Sequence, residues 1–399
     1  MYPYRILTMD GGGVLSLLSL VLLRRIENAR PGFLASVQMV SGTSAGGINA
    51  LLIAGNENPR LGLQQGIELW LREPIYSNNP IATLLAVAGQ VPLASNEVLH
   101  DYLLSAIGNV TLGGLFKKVV IPSLDLDGFL RGQRTWKPKI FHNYGLNEPD
   151  RLESAVDVAL RTSASPVTFP IYQGYADGGL YANNPSMCAL AQVLTCSQRQ
   201  MAGEEAELPG GQDDVMMLSL GAGLNVSYIE VGDPNWGWVK WLLNPQAPLA
   251  VIEAMAENVP EVVDYQCACM MRGNYFRLNP PLPEHINRQF PGEQRKSLYT
   301  LGMEYPIEPV LAWIDRVGWF DTARTERARP AAKKTAAARP PAKKTAAKKT
   351  AVKVAPAAKA PARKAPAKKA PARKAPAKKA APATAGGGGG AGEGGTPQT

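Results

Sequence analysis

Residues 39–49 read MVSGTSAGGIN. An apolar run leads into Gly42, and the apolar stretch INALLIAG follows Gly47, so the glycines mark a turn from strand to helix. Within that turn Gly42, Thr43, Ser44, Ala45 and Gly46 form the pattern G-x-S-x-G. Such spacing holds a serine on a strained elbow, where the flanking glycines make room for it. Gly47 lets the next helix pack close. The residues alone leave two readings open. One is a nucleophile elbow; the other is an ordinary turn capped by the hydroxyl of Thr43 or Ser44.

Working outward, the same grammar recurs. YRILTM, residues 4–9, is rich in strand formers and stops at Asp10. Gly11, Gly12 and Gly13 follow. VLSLLSLVLLRRIENARPG then reads as a helix with basic residues late and Pro31-Gly32 ending it. KKVVIPSLDL reads as a further strand, and PDRLESAVDVALRTSA as a helix with Leu152, Val156 and Leu160 on one face. DDVMMLSLGAG is again an apolar strand ending in glycines. Continuous apolar runs are what parallel strands buried on both faces require. The expectation is an α/β fold with a mostly parallel sheet and crossover helices.

Composition divides the chain of 399 residues in two. Residues 329–399 hold 18 of the 42 Lys and Arg and one of the 33 acids, which leaves 24 against 32 in the body, a net charge of −8. The boundary is set at 1–325 for a folded domain and 326–399 for a Lys/Ala/Pro-rich tail. In the tail, APARK and APAKK alternate from Ala360 to Lys379. With no aromatic residue after Phe320, this segment is expected to be disordered, because it has too little apolar surface to offset ordering entropy. The four cysteines, Cys188, Cys196, Cys267 and Cys269, are read as reduced thiols acting as small hydrophobes. MYPYRILTMDGGG has no features of a secretory signal, and VLSLLSLVLL is too short to span a bilayer. The expected location is cytoplasmic, with peripheral association to a membrane.

A serine hydroxyl needs a base. Three histidines are available, His100, His142 and His285. An order Ser44–acid–His285 would suit an α/β-hydrolase, but that fold puts several strands ahead of its nucleophile, and here about one βα unit precedes Ser44. Asp177 in YADGGLYANNPS is the better candidate: Gly178 and Gly179 after it allow another backbone to approach, and burial can tune a carboxylate to accept a hydroxyl proton. An Asp-Gly turn is the competing reading. Asp10-Gly11-Gly12-Gly13 opens a helix, so its N–H groups suit an anion or the oxyanion of an attacked ester. A dinucleotide loop is excluded, because Ser16 stands where its third glycine belongs. A tight turn of small residues is the other reading.

Taken in order, TMDGGG, GTSAGG, LRTSASPVTFP, DGGLYANNP, LSLGAG and VDYQCACMMRGNYFRLNPPL resemble the patatin-like phospholipase family over roughly residues 4–320. The resemblance implies a three-layer α/β/α sandwich and a Ser–Asp dyad without histidine. It also implies Ser44 as nucleophile, Asp177 as base, and the N–H groups of Gly11, Gly12 and Gly13 as the oxyanion hole. The activity implied is serine hydrolysis of carboxylic esters, of the phospholipase A or lysophospholipase type, through an acyl-enzyme. No cofactor and no metal are expected; Asp125 and Asp127 lack the remaining ligands of a calcium loop and are read as a turn. One departure stands out. The family's glycine loop continues with a basic residue and another glycine, whereas this chain has Val14-Leu15-Ser16.

Trp236, Trp238 and Trp241, and the segment from Asn78 to Asn96, are candidates for an apolar rim or lid, with core or loop packing as the alternative for the tryptophans. The tail resembles histone-H1-like tails. Its expected partner is anionic lipid, at about 1 kcal/mol per basic residue near the surface, or nucleic acid without sequence preference. Two rivals remain at this level: a weak or inactive lipase-like module whose tail binds nucleic acid, and a Ser–His–Asp esterase using His285.

Overall fold

The computed structural model describes residues 3–72, 96–166, 168–199, 208–209, 211–225, 236–243, 250–283, 286 and 291–321. The expected tail, His285 and the proposed lid up to residue 95 lie outside the described residues. In chain order the elements are β1 (Tyr4–Met9), α1 (Ser16–Ala29), α2 (Phe33–Ser36), β2 (Met39–Gly42), α3 (Ala45–Ala54), α4 (Pro59–Arg72) and α5 (Asn96–Ile107). A hairpin of β3 (Lys118–Leu130) and β4 (Gln133–His142) follows, then α6 (Ala155–Thr162), β5 (Tyr175–Asp177), α7 (Gly179–Ala182) and α8 (Ser186–Arg199). The last elements are β6 (Val215–Leu220), α9 (Trp238–Leu243), α10 (Ala250–Met271), β7 (Tyr275–Leu278), α11 (Pro291–Glu304) and α12 (Glu308–Val317).

The strands form one sheet in the order β4-β3-β2-β1-β6-β7, with β5 also paired to β3. β1, β2, β3, β6 and β7 are parallel, and β4 and β5 are antiparallel to β3. Alternation along the strands sends side chains to two separate cores. Leu7, Met9, Val40, Leu218 and Leu220 meet the apolar side of α1, α3, α4 and α12. Ile6, Met39, Val120, Val215 and Met217 meet Leu190, Val193, Cys267 and Met271 of α8 and α10. The fold is therefore α/β, with helices on both faces of a mostly parallel sheet. Trp319 closes the first core: its ring stacks on Phe33 at 4.8 Å, and its carbonyl accepts from the Arg5 guanidinium.

The apolar run at Val14–Leu23 is buried as α1, and among the described residues no helix is long and apolar enough to cross a membrane. The helix expected across PDRLESAVDVALRTSA begins later. Ser154 caps α6 by accepting from the Asp157 N–H at 3.3 Å, and Leu152 falls in a separate 3-10 turn, 83% exposed. The cap competes with the apolar spacing and wins, because it satisfies a donor at the helix start. Cys196 and Cys267 are buried as expected, whereas Cys269 is exposed; all four cysteines are free.

β3 is the element that positions the site. Its first residues pair with β2, Ser41 opposite Val120. β2 then ends, and β5 takes over the same edge of β3, with Asp177 opposite Ser123. That edge is fixed because Ser123 pairs simultaneously with Lys139 of β4 on the other side.

Candidate active site

Ser44 lies at φ 54°, ψ −126°, between the end of β2 and the start of α3. This is a conformation that a residue with a Cβ occupies only when its surroundings hold it there. The surroundings do. The Ser44 N–H donates to Thr162 Oγ1 at 3.0 Å, and Thr162 Oγ1 donates to the Pro122 carbonyl at 2.5 Å. The Ser44 carbonyl accepts the first helical bond from Ile48 N–H at 3.0 Å. A Cβ on Gly42 would overlap the Gly46 carbonyl, and one on Gly46 would overlap the Met9 carbonyl, so both positions need glycine.

Asp177 closes β5 and is 6% exposed. Its carboxylate accepts from the Gly179 N–H at 2.6 Å and from the Ser44 hydroxyl. Burial pushes its pKa up to about 6, against the lowering effect of those two hydrogen bonds. The carboxylate thus contacts the serine directly, and among the described residues no histidine stands between them. His100 is half-buried beside Asp101 on α5, and His142 packs against Tyr144; neither lines the cavity at Ser44.

The loops carrying these residues are tied together. Thr43 Oγ1 donates to the Ala182 carbonyl at 2.6 Å, and the Gly11 N–H donates to the Asn183 carbonyl at 3.1 Å. The second bond changes the reading of the glycine loop. The Gly11 N–H, expected to face an oxyanion, is already committed to Asn183. Among the described residues no protein acceptor takes the N–H of Gly12 or Gly13. Gly13 sits at φ 56°, which glycine adopts without strain. All three glycines line the cavity together with Ser44 and Asp177.

That cavity has a volume of about 620 Å³. Leu15, Ile48, Trp70, Phe169, Leu180 and Leu224 supply apolar wall. Its polar side contains a pair that the sequence analysis missed. Arg277 of β7 donates to Asp10 Oδ1 at 2.9 Å and Oδ2 at 2.6 Å, and to Ser219 Oγ at 3.0 Å. Burial pushes the Asp10 carboxyl upward, and Arg277 opposes that shift. A cation therefore reaches the glycine loop from a strand 267 residues away, where the loop's own continuation, Val14-Leu15-Ser16, has none. The visible signal was a lone arginine in the apolar strand YFRL.

Trp236, Trp238 and Trp241 do not line the cavity; Trp238 is 70% exposed and Trp236 meets Trp241 edge-on at 5.2 Å. Asp125 and Asp127 fall at a bulge of the β3–β4 hairpin, and Asp127 pairs with Arg134. Away from the cavity, His142, Glu148 and Asp150 bring possible ligand atoms within 4.8 Å of one another. Lys139 Nζ, 2.5 Å from Asp150 Oδ1, already supplies a cation to that cluster.

Comparison with known proteins gives consistent matches. Residues 7–190 match the family model described as patatin-like phospholipase. Protein teg of Priestia megaterium is 28% identical over 79% of this chain and 99% of its own length. CotR of Bacillus subtilis, described provisionally as a sporulation hydrolase, is 31% identical over 60% of this chain and 69% of its own. Patatin-like protein 2 of Arabidopsis thaliana is 24% identical over 68% of this chain and 74% of its own. Among solved structures, VipD from Legionella pneumophila aligns over 75% of this chain and 67% of its own, at 13% identity and a TM-score of 0.31, which carries no inference about activity. On the family match and these relatives, the chain belongs to the patatin-like phospholipase family.

Proposed function

We propose that the chain is a serine hydrolase of membrane-lipid carboxylic esters, of the phospholipase A or lysophospholipase type, acting through Ser44 and Asp177. The observation that carries this reading is the Ser44–Asp177 hydrogen bond at an apolar cavity. With a pKa pushed to about 6, Asp177 is mostly ionised at neutral pH yet basic enough to accept a proton. Ser44 Oγ attacks the ester carbonyl while its proton passes to Asp177. The oxyanion receives the N–H groups of Gly12 and Gly13. Asp177 returns the proton to the departing alcohol as the ester C–O bond breaks. Water, giving a proton to Asp177, then attacks the acyl-enzyme; as the bond from the acyl carbon to Oγ breaks, Asp177 returns the proton to Ser44 Oγ and the fatty acid leaves. The apolar wall suits an acyl chain. In the same reading the basic residues beyond Asp321 contact anionic lipid, and the protein works in the cytoplasm at a membrane surface.

The test is fatty acid release from mixed phospholipid vesicles, together with covalent labelling by a fluorophosphonate ester. Wild type is expected to release fatty acid and to label. Ser44→Ala loses both, and Asp177→Asn loses release by orders of magnitude while remaining folded. Full activity in either variant, or loss of the covalent acyl-enzyme step on replacing His285 in a protein that stays folded, would overturn the reading.

A further inference from the structure

β3 does not stop where the sheet stops. It pairs with β2 only up to Val120 and with β5 from Ser123 to Asp125; the Leu126 N–H still donates to the Gly174 carbonyl at 3.0 Å, and from Asp127 to Leu130 β4 is its one strand partner among the described residues. Because β3 is parallel to β1 and β2, this extension leaves the sheet at the end where those strands deliver Asp10 and Ser44. From Ser123, opposite Asp177, to Leu130 is seven residues, about 23 Å at ~3.3 Å per residue. The turn is tight, with Arg131 at φ 51° and Gly132 at φ 77°.

The tip is apolar where solvent reaches it. Phe129 is 64% exposed, Leu130 50% and Trp136 72%. The register sets Phe129 opposite Arg134, so Phe129 and Trp136 share one face of the ribbon. Every residue from Phe129 to Trp136 is exposed. Exposed single apolar residues are ordinary, but three on one projecting tip, two of them aromatic, mark a contact surface. The charge around them is cationic. Arg131, Arg134 and Lys137 stand against Asp127, which pairs with Arg134, and Asp125, which lies opposite Lys137, so the hairpin end is net cationic by about one charge with Arg131 unopposed at its tip among the described residues, on a body whose net charge is −8. By its own charge such an acidic body is repelled by an anionic surface, so a local cationic projection is the part of the body best suited to face one. Aromatic side chains ringed by Arg and Lys suit the boundary between lipid headgroups and acyl chains.

We propose that the β3–β4 hairpin tip, through Phe129, Leu130 and Trp136 with Arg131 and Lys137, docks the cavity-bearing end of the protein on an anionic lipid surface. The proposal rests on the lipid-ester reading above for its purpose, but its test does not depend on turnover. Vesicle binding is measured on full-length Ser44→Ala, with phosphatidylcholine–phosphatidylglycerol vesicles in 0.5 M NaCl, which screens the C-terminal basic residues. Adding Phe129→Ala and Trp136→Ala is expected to lower partitioning about tenfold or more, as apolar contact area is lost. Trp136→Phe alone keeps binding but removes most of the tryptophan quenching by brominated lipid. With Ser44 intact, hydrolysis of a soluble short-chain ester by the hairpin variants stays at the wild-type rate, which reports an undisturbed fold. Should no ester be hydrolysed by any form, the functional reading fails while the vesicle result still decides the hairpin. Unchanged partitioning of the double variant, or undiminished quenching in Trp136→Phe, overturns the proposal. So does a fall in oligomeric mass on removing the aromatics, which would assign the tip to a second copy of this chain.

Discussion

Replacing Asp177 by Asn should stabilise the protein at alkaline pH while removing its activity. The reason is linkage. The Asp177 pKa is raised from 3.8 unfolded to about 6 folded, chiefly by burial. A raised carboxylate binds its proton more tightly in the folded state, so its favourable contribution is present at low pH and is lost as pH rises through about 6. A difference of about 2 units at 1.36 kcal/mol each means that ionised Asp177 costs about 3 kcal/mol by pH 8, against about 0.5 kcal/mol at pH 4. Asn carries no charge at either pH and can still accept from the Gly179 N–H. The assay is urea denaturation of wild type and Asp177→Asn at pH 4, 6 and 8, so that every other titrating group cancels in the difference. The stability of the variant relative to wild type should climb by about 2.5 kcal/mol between pH 4 and pH 8, with its midpoint between the two pKa values. A difference that stays flat across that range would refute the view that Asp177 is a desolvated carboxylate held ready as a base.

The same group predicts that kcat/KM for a lipid ester falls about tenfold per pH unit below about pH 6, because the protonated carboxyl cannot accept the Ser44 proton; an acid limb near 4 would contradict the assigned base. Thr162→Val removes the acceptor of the Ser44 N–H and the donor to Pro122, so the fold should lose about 1–3 kcal/mol and kcat should drop more than KM changes. Arg277→Met leaves Asp10 buried without its cation and should destabilise by about 3–5 kcal/mol in thermal unfolding, part of which returns in Arg277→Met with Asp10→Asn. Arg277→Lys should fall between, since an ammonium cannot replace the bidentate contact.

Much of this protein is written locally. An apolar strand that breaks into glycines and resumes as an apolar helix needs no distant partner to be read, and YRILTM, MVSG and VMMLSL all became central strands for that reason. The elbow at Ser44 is local too, because the room that Gly42 and Gly46 provide is fixed by sequence spacing. The charge break near residue 325 is compositional. Where local signals compete, the reading weakens: apolar spacing drew a helix through Leu152, and the Ser154 cap moved its start to Ala155.

What the tertiary structure alone decided are the meetings between distant residues. Asp177 reaches Ser44 because β5 replaces β2 along one edge of a strand longer than the sequence reading allowed, and no pattern within YADGG encodes that replacement. The Gly11 N–H goes to Asn183 because the two loops are pressed together, so the choice of free donors in the glycine loop belongs to the fold. Arg277 finds Asp10 because β7 lies next to β6, and β6 next to β1. Periodicity reports which face of a segment is apolar, and that preference acts over a few residues. Which buried polar groups end up opposite one another depends on strand order and register, set by the whole chain at once.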